Sequence, residues 1–381
     1  MIIGIDGNEA NIEKKVGVGR YAYEVLWHIY KIQNPKSKIQ NNNLKFKIYL
    51  KDKPLADLPK EIDSWKYEVI SPKKLWTQVG LPLRLWWERF TGKAPDVFFT
   101  PSHYAPRFCP CPRVISIMDL SYLHFPEMFR KQDLYQLKNW TAYSVRKAVK
   151  ILTISKASKD DIIEYYKVPR EKVVVTYPGS MTNIKYQISN IKKIKEKYKI
   201  KGDYILSVGT IQPRKNYPRL IEAFSKLVSS RKYKILSLVI VGKKGWMWEE
   251  TLAAPKKIGV EGKVKFLNYV PDEDLPALYK GATCFVLVSL YEGFGIPVLE
   301  AMNYGCPVVV SNISSLPEVV DKAGILVDPM EVNDIAEGIK KAIENREELI
   351  KKGYKQGAKF SWEKTARKTL KVLEEVGRQN A

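Results

Sequence analysis

Short β-branched runs closed by Gly or Pro recur through the C-terminal half of the chain, each followed by apolar residues at helical spacing. YILSVG (204–209), KILSLVIVG (234–242), KVKFLNYV (263–270), TCFVLVSL (283–290), CPVVVS (306–311) and AGILVD (323–328) predict buried strands. Between them, 217–230, 249–258, 274–280 and 297–304 predict helices. Continuous apolar strands alternating with helices indicate a parallel sheet covered on both faces. The N-terminal half repeats the pattern less cleanly, with strands near 2–6, 45–50, 96–99, 113–117, 150–154 and 172–175. The fold class expected is α/β, with two doubly wound parallel-sheet domains. The boundary is placed after TYPGS (176–180), where ISNIKKIKEKYKIKGD becomes a charged connector, giving domains 1–183 and 184–360. In the last segment, 361–377, Trp362, Ala366, Leu370 and Val372 or Leu373 fall at helical spacing and predict an amphipathic terminal helix.

A length of 381 residues suits two domains, and the 45% apolar and 28% charged fractions exclude a disordered or fibrous chain. Charge changes the picture more. The chain carries 64 Lys plus Arg against 41 Asp plus Glu, a net +23, and residues 1–200 hold 36 basic against 19 acidic side chains, a net +17. Such an excess asks for an anionic partner. No nucleic-acid recognition motif is present, so nucleic acid is not expected as that partner. Four cysteines exclude a disulfide framework. Cys109 and Cys111 are the close pair, and three histidines supply no second pair at zinc spacing, so no metal site is expected. The start MIIGIDGNEAN lacks the basic region and apolar core of a signal peptide, and no apolar run approaches the ~18 residues of a membrane span. A cytoplasmic protein is expected, with peripheral attachment at the inner face of the membrane left open.

In open α/β sheets ligands bind at the carboxyl ends of strands. After the run 204–209 comes Gly209-Thr210-Ile211-Gln212-Pro213-Arg214-Lys215-Asn216, opening a helix near Tyr217. Two cations beside a helix N-terminus suit a diphosphate, while a solvated pair capping a turn explains them equally well. The loop Tyr291-Glu292-Gly293-Phe294-Gly295-Ile296-Pro297-Val298-Leu299-Glu300 is more specific. Its glycines permit close backbone approach, and its carboxylates, Glu292 on the loop and Glu300 expected in the first helical turn, suit the hydroxyls of a polyhydroxylated ligand. A helix-dipole role explains Glu300 but neither Glu292 nor the glycines. Gly17 and Gly19 form a loose G-x-G-x-x-A loop before a helix, too far from its strand for a dinucleotide site, with Arg20 available to a phosphate. Asp272-Glu273-Asp274 follows Pro271 and precedes an apolar stretch, so Asp272 or Asp274 is read as a helix N-cap rather than a metal ligand.

VGTIQPRKNYPRLIEAF, LYEGFGIPVLEAMNYGCPVVVSNISSLPEVV, GVGRYAYEVL and ISIMDLSYLHFPEMF together make the chain resemble a bacterial retaining glycosyltransferase of family 4, mannosyltransferase-like. The resemblance covers nearly the whole chain. It implies the GT-B fold, two Rossmann-like domains with the active site between them, and a terminal helix that returns to the N-domain. It implies a nucleotide-diphosphate sugar, GDP- or UDP-linked, as donor substrate, no separate cofactor, and a glycan or lipid-linked acceptor. Arg214 and Lys215 match the pair that neutralises the donor diphosphate. Glu292 matches the carboxylate near the transferred sugar, and Glu300 the one on the ribose. Gly209, Thr210, Asn268, Val270, Phe294, Gly295, Ile296 and Leu299 match the remaining donor-binding positions, and Gly17 and Gly19 the N-domain glycine loop. The mechanism implied is metal-independent front-face substitution, in which loss of Lys215 depresses turnover far more than stability.

One departure is evident. Relatives usually have His-Asp where this chain has Met118-Asp119, and that His contacts the donor sugar; His103 or His124 is expected to take its place, with His103 favoured. Met118 also admits a catalytically weak nucleotide-sugar-binding homologue, and the architecture admits a nucleotide-sugar epimerase. The segment Lys73 to Arg89 mixes aromatic, aliphatic and basic residues, which fits either an interfacial surface on an anionic membrane or ordinary N-domain packing.

Overall fold

A computed structural model describes residues 1–15, 17–33, 44–180 and 190–379. The chain divides into one unit of Met1–Pro178 with Ser361–Ala381, and a second of Gly179–Phe360.

In the first unit, β1 (Ile2–Asp6), β2 (Lys45–Leu50), β3 (Trp65–Val69), β4 (Val97–Thr100), β5 (Arg113–Ile117), β6 (Lys150–Thr153) and β7 (Val173–Val175) form one parallel sheet in the order β3-β2-β1-β4-β5-β6-β7. Ile3, Ile48, Phe98, Val114, Ile115 and Ile151 are fully buried in its layers. Strand β3 was not predicted. WKYEV mixes apolar and charged residues because it is an edge strand, and Lys66 and Val69 stay exposed. Helix Trp362–Arg378 packs on helix Val18–Gln33 within this unit, with the Trp362 and Tyr21 rings edge to face at 6.0 Å. Ser361 caps it, accepting from the Lys364 N–H at 3.2 Å.

In the second unit, β8 (Tyr204–Val208), β9 (Ser237–Val241), β10 (Val264–Leu267), β11 (Cys284–Leu287), β12 (Val308–Ser311) and β13 (Ile325–Val327) run parallel in the order β10-β9-β8-β11-β12-β13. These strands are shorter than the apolar runs that predicted them, because the ends of the runs already turn into loops, some buried, as at Val288, and some exposed, as at Ile235 and Tyr269. Gly179 and Ser180, assigned from sequence to the first domain, fall here: the Ser180 Oγ accepts from Asn303 Nδ2 at 2.7 Å. Residues 181–183, up to the expected boundary, lie outside the described residues. The charged connector contains helix Ile191–Lys197, capped by Asn190 and packed on helix Leu275–Gly281.

Chain order reverses twice. In the first sheet β1 lies beside β4, and in the second β8 lies beside β11. Loops leaving neighbouring strands at such a reversal part to opposite faces of the sheet and leave a crevice at the carboxyl ends.

Candidate functional site

At the β8/β11 reversal the loop after β8 carries Arg214 and Lys215, and the loop after β11 carries Glu292. The structure brings these three together. Lys215 Nζ lies 2.5 Å from Glu292 Oε1, and Arg214 Nη1 lies 3.2 Å from Oε2. Arg214 also donates to the Tyr291 carbonyl. Glu292 and Lys215 are buried. Burial by itself raises the Glu292 carboxyl, but attraction to Lys215 and Arg214, with hydrogen bonds from Lys215 and Ser289, outweighs it and holds the pKa at about 2. Two cations and one carboxylate leave a net positive charge at the strand ends, which is what an arriving diphosphate requires.

That depressed pKa has a sign. The ordinary Glu value here is 4.5, so the interaction stabilises the fold fully above about pH 4.5 and is lost as pH falls through about 2. A shift of this size corresponds to about 3 kcal/mol. Acid unfolding of wild type and Glu292→Gln should therefore converge between about pH 5 and pH 2; parallel curves would show that Glu292 is not held ionised by these cations.

Packing explains how the cluster forms. A Cβ at Gly209 would meet Lys215 Cε and the Tyr217 hydroxyl at 3.1 Å each, so any larger residue there would push the lysine stem aside by a few tenths of an ångström. Asn216 adopts left-handed backbone, φ 57°, and its Nδ2 donates to the carbonyls of Val288 at 3.0 Å and Pro329 at 2.7 Å. This ties the cation loop to the strand that ends before Glu292. Gly295, with φ 99°, caps helix Ile296–Asn303, and a Cβ there would lie 2.7 Å from Leu316. Three further residues hold Glu292 and escaped the sequence reading. Ser289 Oγ donates to Oε1 at 2.6 Å, Ser314 Oγ accepts from its N–H at 3.1 Å, and Ser315 Oγ donates to its carbonyl at 2.8 Å. A serine at the end of the apolar run 283–290 was the available signal.

Other candidates take different places. Glu300 is the fifth residue of helix Ile296–Asn303, not in its first turn as expected, because the helix opens one residue before Pro297. It is buried, and its Oε2 accepts from the Tyr279 hydroxyl at 2.9 Å. Ile296 and Leu299 lie on that helix, and Phe294 packs edge to face on Phe360 at 5.4 Å. Thr210 follows Gly209. Asn268 is exposed after β10, with its carbonyl accepting from the Gly242 N–H at 3.1 Å, and Val270 is buried. Asp274 holds the N-cap position of helix Leu275–Gly281 but makes no side-chain cap bond. Its carboxylate instead takes Lys197 Nζ at 2.6 Å and the Tyr198 hydroxyl at 2.5 Å, because the connector helix packs there.

The remaining candidates belong to the first unit. Gly17 and Gly19 sit at the start of helix Val18–Gln33. His103, in the loop after β4, accepts from the Met118 N–H at its Nε2, 3.0 Å. Burial lowers its pKa, so the ring is neutral with its proton on Nδ1, and Nδ1 is buried with no hydrogen-bond partner. His124 is occupied: its Nε2 lies 3.1 Å from Asp161, and its Nδ1 3.5 Å from the Tyr165 hydroxyl. Asp119 Oδ1 accepts from the Ser121 N–H at 2.9 Å and Oγ at 2.6 Å, closing the turn into helix Ser121–His124. Asp6, unnoticed in the sequence, ends β1 and is pushed up to about 6 by burial, against hydrogen bonds from Asn8. Among the described residues no three His, Cys, Asp or Glu side chains gather as a metal site, and Cys109 and Cys111 are free thiols.

Residues 189–359 match the family described as glycosyl transferases group 1. The chain is 34% identical over 279 residues to the O-antigen chain mannosyltransferase B of Escherichia coli, covering 72% of this chain and 73% of that one. The chain belongs to the group 1 glycosyltransferases. This glycosyltransferase is also 32% identical over 268 residues to the serotype-specific mannosyltransferase WbdA of Escherichia coli, a match spanning 68% of this chain and 32% of that longer protein. Its fold is similar to that of sucrose-phosphate synthase from Thermosynechococcus elongatus, with a TM-score of 0.74 at 15% identity over 98% of both chains. It is likewise similar to HepE from Anabaena in complex with UDP and glucose, with a TM-score of 0.70 at 19% identity over 98% of this chain and 99% of that one. The two units are thus Rossmann-like units of the GT-B class. No described helix is long and apolar enough to cross a membrane.

Proposed function

We propose that this glycosyltransferase moves mannose from GDP-mannose to a hydroxyl of a glycan or lipid-linked acceptor, with retention at the anomeric carbon. The observation that carries the reading is the Arg214, Lys215 and Glu292 cluster at the β8/β11 reversal, where a diphosphate meets two fixed cations. The choice of mannose is supported by the mannosyltransferase names of the relatives in Escherichia coli. Glu300, oriented by Tyr279, accepts from the ribose hydroxyls, and the backbone of Phe294 and Gly295 meets sugar and phosphate. Gly209, Thr210, Asn268, Val270, Ile296 and Leu299 shape the donor site, and Gly17 and Gly19 contribute the glycine loop.

The step is a front-face substitution. The bond from the anomeric carbon to the β-phosphate oxygen breaks while the acceptor oxygen bonds to the same face of that carbon. The acceptor proton passes to the departing phosphate oxygen. Arg214 and Lys215 stabilise the charge developing on the diphosphate, so the side chains supply what a metal would otherwise supply. His103 donates its Nδ1–H to a hydroxyl of the transferred sugar, taking over from the histidine that relatives carry at the position of Met118. Asp119 holds the adjoining turn.

A panel of GDP-, UDP- and ADP-linked hexoses screened by thermal unfolding tests the reading. GDP-mannose should raise the midpoint most. His103→Ala should retain stabilisation by GDP yet lose about tenfold in turnover, the size of one good hydrogen bond. Stabilisation by none of the panel would overturn the donor site, and conversion of a nucleotide sugar without acceptor would favour an epimerase.

A further inference from the structure

Residues 73–93 split into two faces. On the inner face, Trp76, Leu81 and Leu85 pack with Tyr49, Ile70 and Phe98. Glu88, fully buried, accepts from the Tyr49 hydroxyl at 2.6 Å and Arg84 Nε at 2.9 Å, and Arg84 reaches on to Glu68 at 2.8 Å. Helix Leu81–Phe90 is therefore pinned, and what it turns outward is fixed by that pinning.

Outward it presents Leu83, Trp86, Trp87 and Phe90, at the spacing of one helical face, with Leu83 63% and Phe90 81% exposed, and Val79 is exposed in the turn just before it. Trp86 Nε1 donates to the Phe108 carbonyl at 2.6 Å, which sets Phe108, 75% exposed, beside it. A contiguous apolar face of this kind is uncommon on a surface that meets only water. Lys74, Arg89, Lys93 and Arg107 are exposed around it, and the one acid among residues 73–93 is the buried Glu88.

We infer that this face docks the first unit on an anionic lipid surface. Leu83, Trp87 and Phe90 enter the acyl boundary, Trp86 lies at the headgroups, and Lys74, Arg89, Lys93 and Arg107 meet the headgroup phosphates. Charge complementarity singles out this occupant: the apolar face carries a cationic rim with no exposed acid within residues 73–93, on the half of the chain that holds the net +17. The inference stands apart from the choice of donor or acceptor.

The full chain is sedimented with vesicles of phosphatidylglycerol and phosphatidylcholine, and with phosphatidylcholine alone, free of any glycolipid. Pelleting is expected with the anionic vesicles at low salt. Arg89→Gln and Lys93→Gln should each weaken it about fivefold, and Leu83→Ser with Phe90→Ser at least ~tenfold. These exposed positions leave thermal stabilisation by nucleotide sugar unchanged, so failure here and failure of the donor site read differently. Absence of pelleting, equal pelleting of wild type and variants, or a dimer through this face that the serine variants dissociate while vesicles go unbound would overturn it.

Discussion

Lys215→Met lowers turnover by about 100- to 1,000-fold, the usual cost of removing a group that meets transition-state charge. It also destabilises the fold by about 3 kcal/mol. The second effect is larger than the expectation drawn from sequence, in which turnover suffered far more than stability. Lys215 is buried against Glu292 at 2.5 Å, so its removal leaves a buried carboxylate that keeps the Ser289 hydroxyl and the longer ion pair to Arg214 but loses its nearer cation. Combining Lys215→Met with Glu292→Gln removes the stranded charge. The double variant should regain most of the lost stability and remain slow, since nothing then replaces the cation at the diphosphate. Chemical denaturation with single-turnover kinetics separates the two effects. A single variant with wild-type turnover would remove Lys215 from the reaction, and a double variant that regained rate would make its role purely structural.

Asn216→Asp keeps shape and left-handed backbone but turns a donor into an acceptor. Nδ2 now satisfies two buried carbonyls, of Val288 and Pro329, and a carboxylate would face both without a proton to give. The expected loss is about 3 kcal/mol or more in stability, with donor binding weakened because Arg214 and Lys215 precede this anchor directly. Asn216→Ala should cost less, since it leaves the carbonyls unpaired but adds no charge. Equal stability of the Asp and Ala variants in urea would show that the amide is not the tie between the two loops.

Much of the fold was legible because buried parallel strands are apolar throughout, and such runs stand out even without context. Strand β3 was missed for the converse reason: as an edge strand with exposed positions, WKYEV carries the mixed pattern of a loop or a helix face. Glu292, Arg214 and Lys215 were legible as residues but not as one cluster. Their side chains meet across 77 and 78 positions of chain, and only the neighbouring of β8 and β11 brings them together. The serines that hold Glu292 were invisible, because a buried serine in an apolar run looks like tolerance rather than purpose. Asp274 misled in the opposite direction. Its position before a helix is that of a cap, yet Lys197 and Tyr198 arrive from 77 and 76 residues away and take its oxygens. Residues 73–89 were read as either packing or interface, and they are packing on one face and open on the other.

Helix Trp362–Arg378 has a consequence for synthesis. It buries Trp362, Ala366, Leu370, Leu373 and Val376 in the unit whose first strand begins at Ile2. During translation the second unit, continuous in sequence, has all its strands before the first unit receives its last helix. The N-terminal unit therefore lacks its closing helix, with the face of helix Val18–Gln33 uncovered, until residues 362–378 leave the ribosome. A nascent chain whose first 360 residues have emerged from the ribosome would hold one unit complete in sequence and one lacking its closing helix, the reverse of the order in which the two were begun.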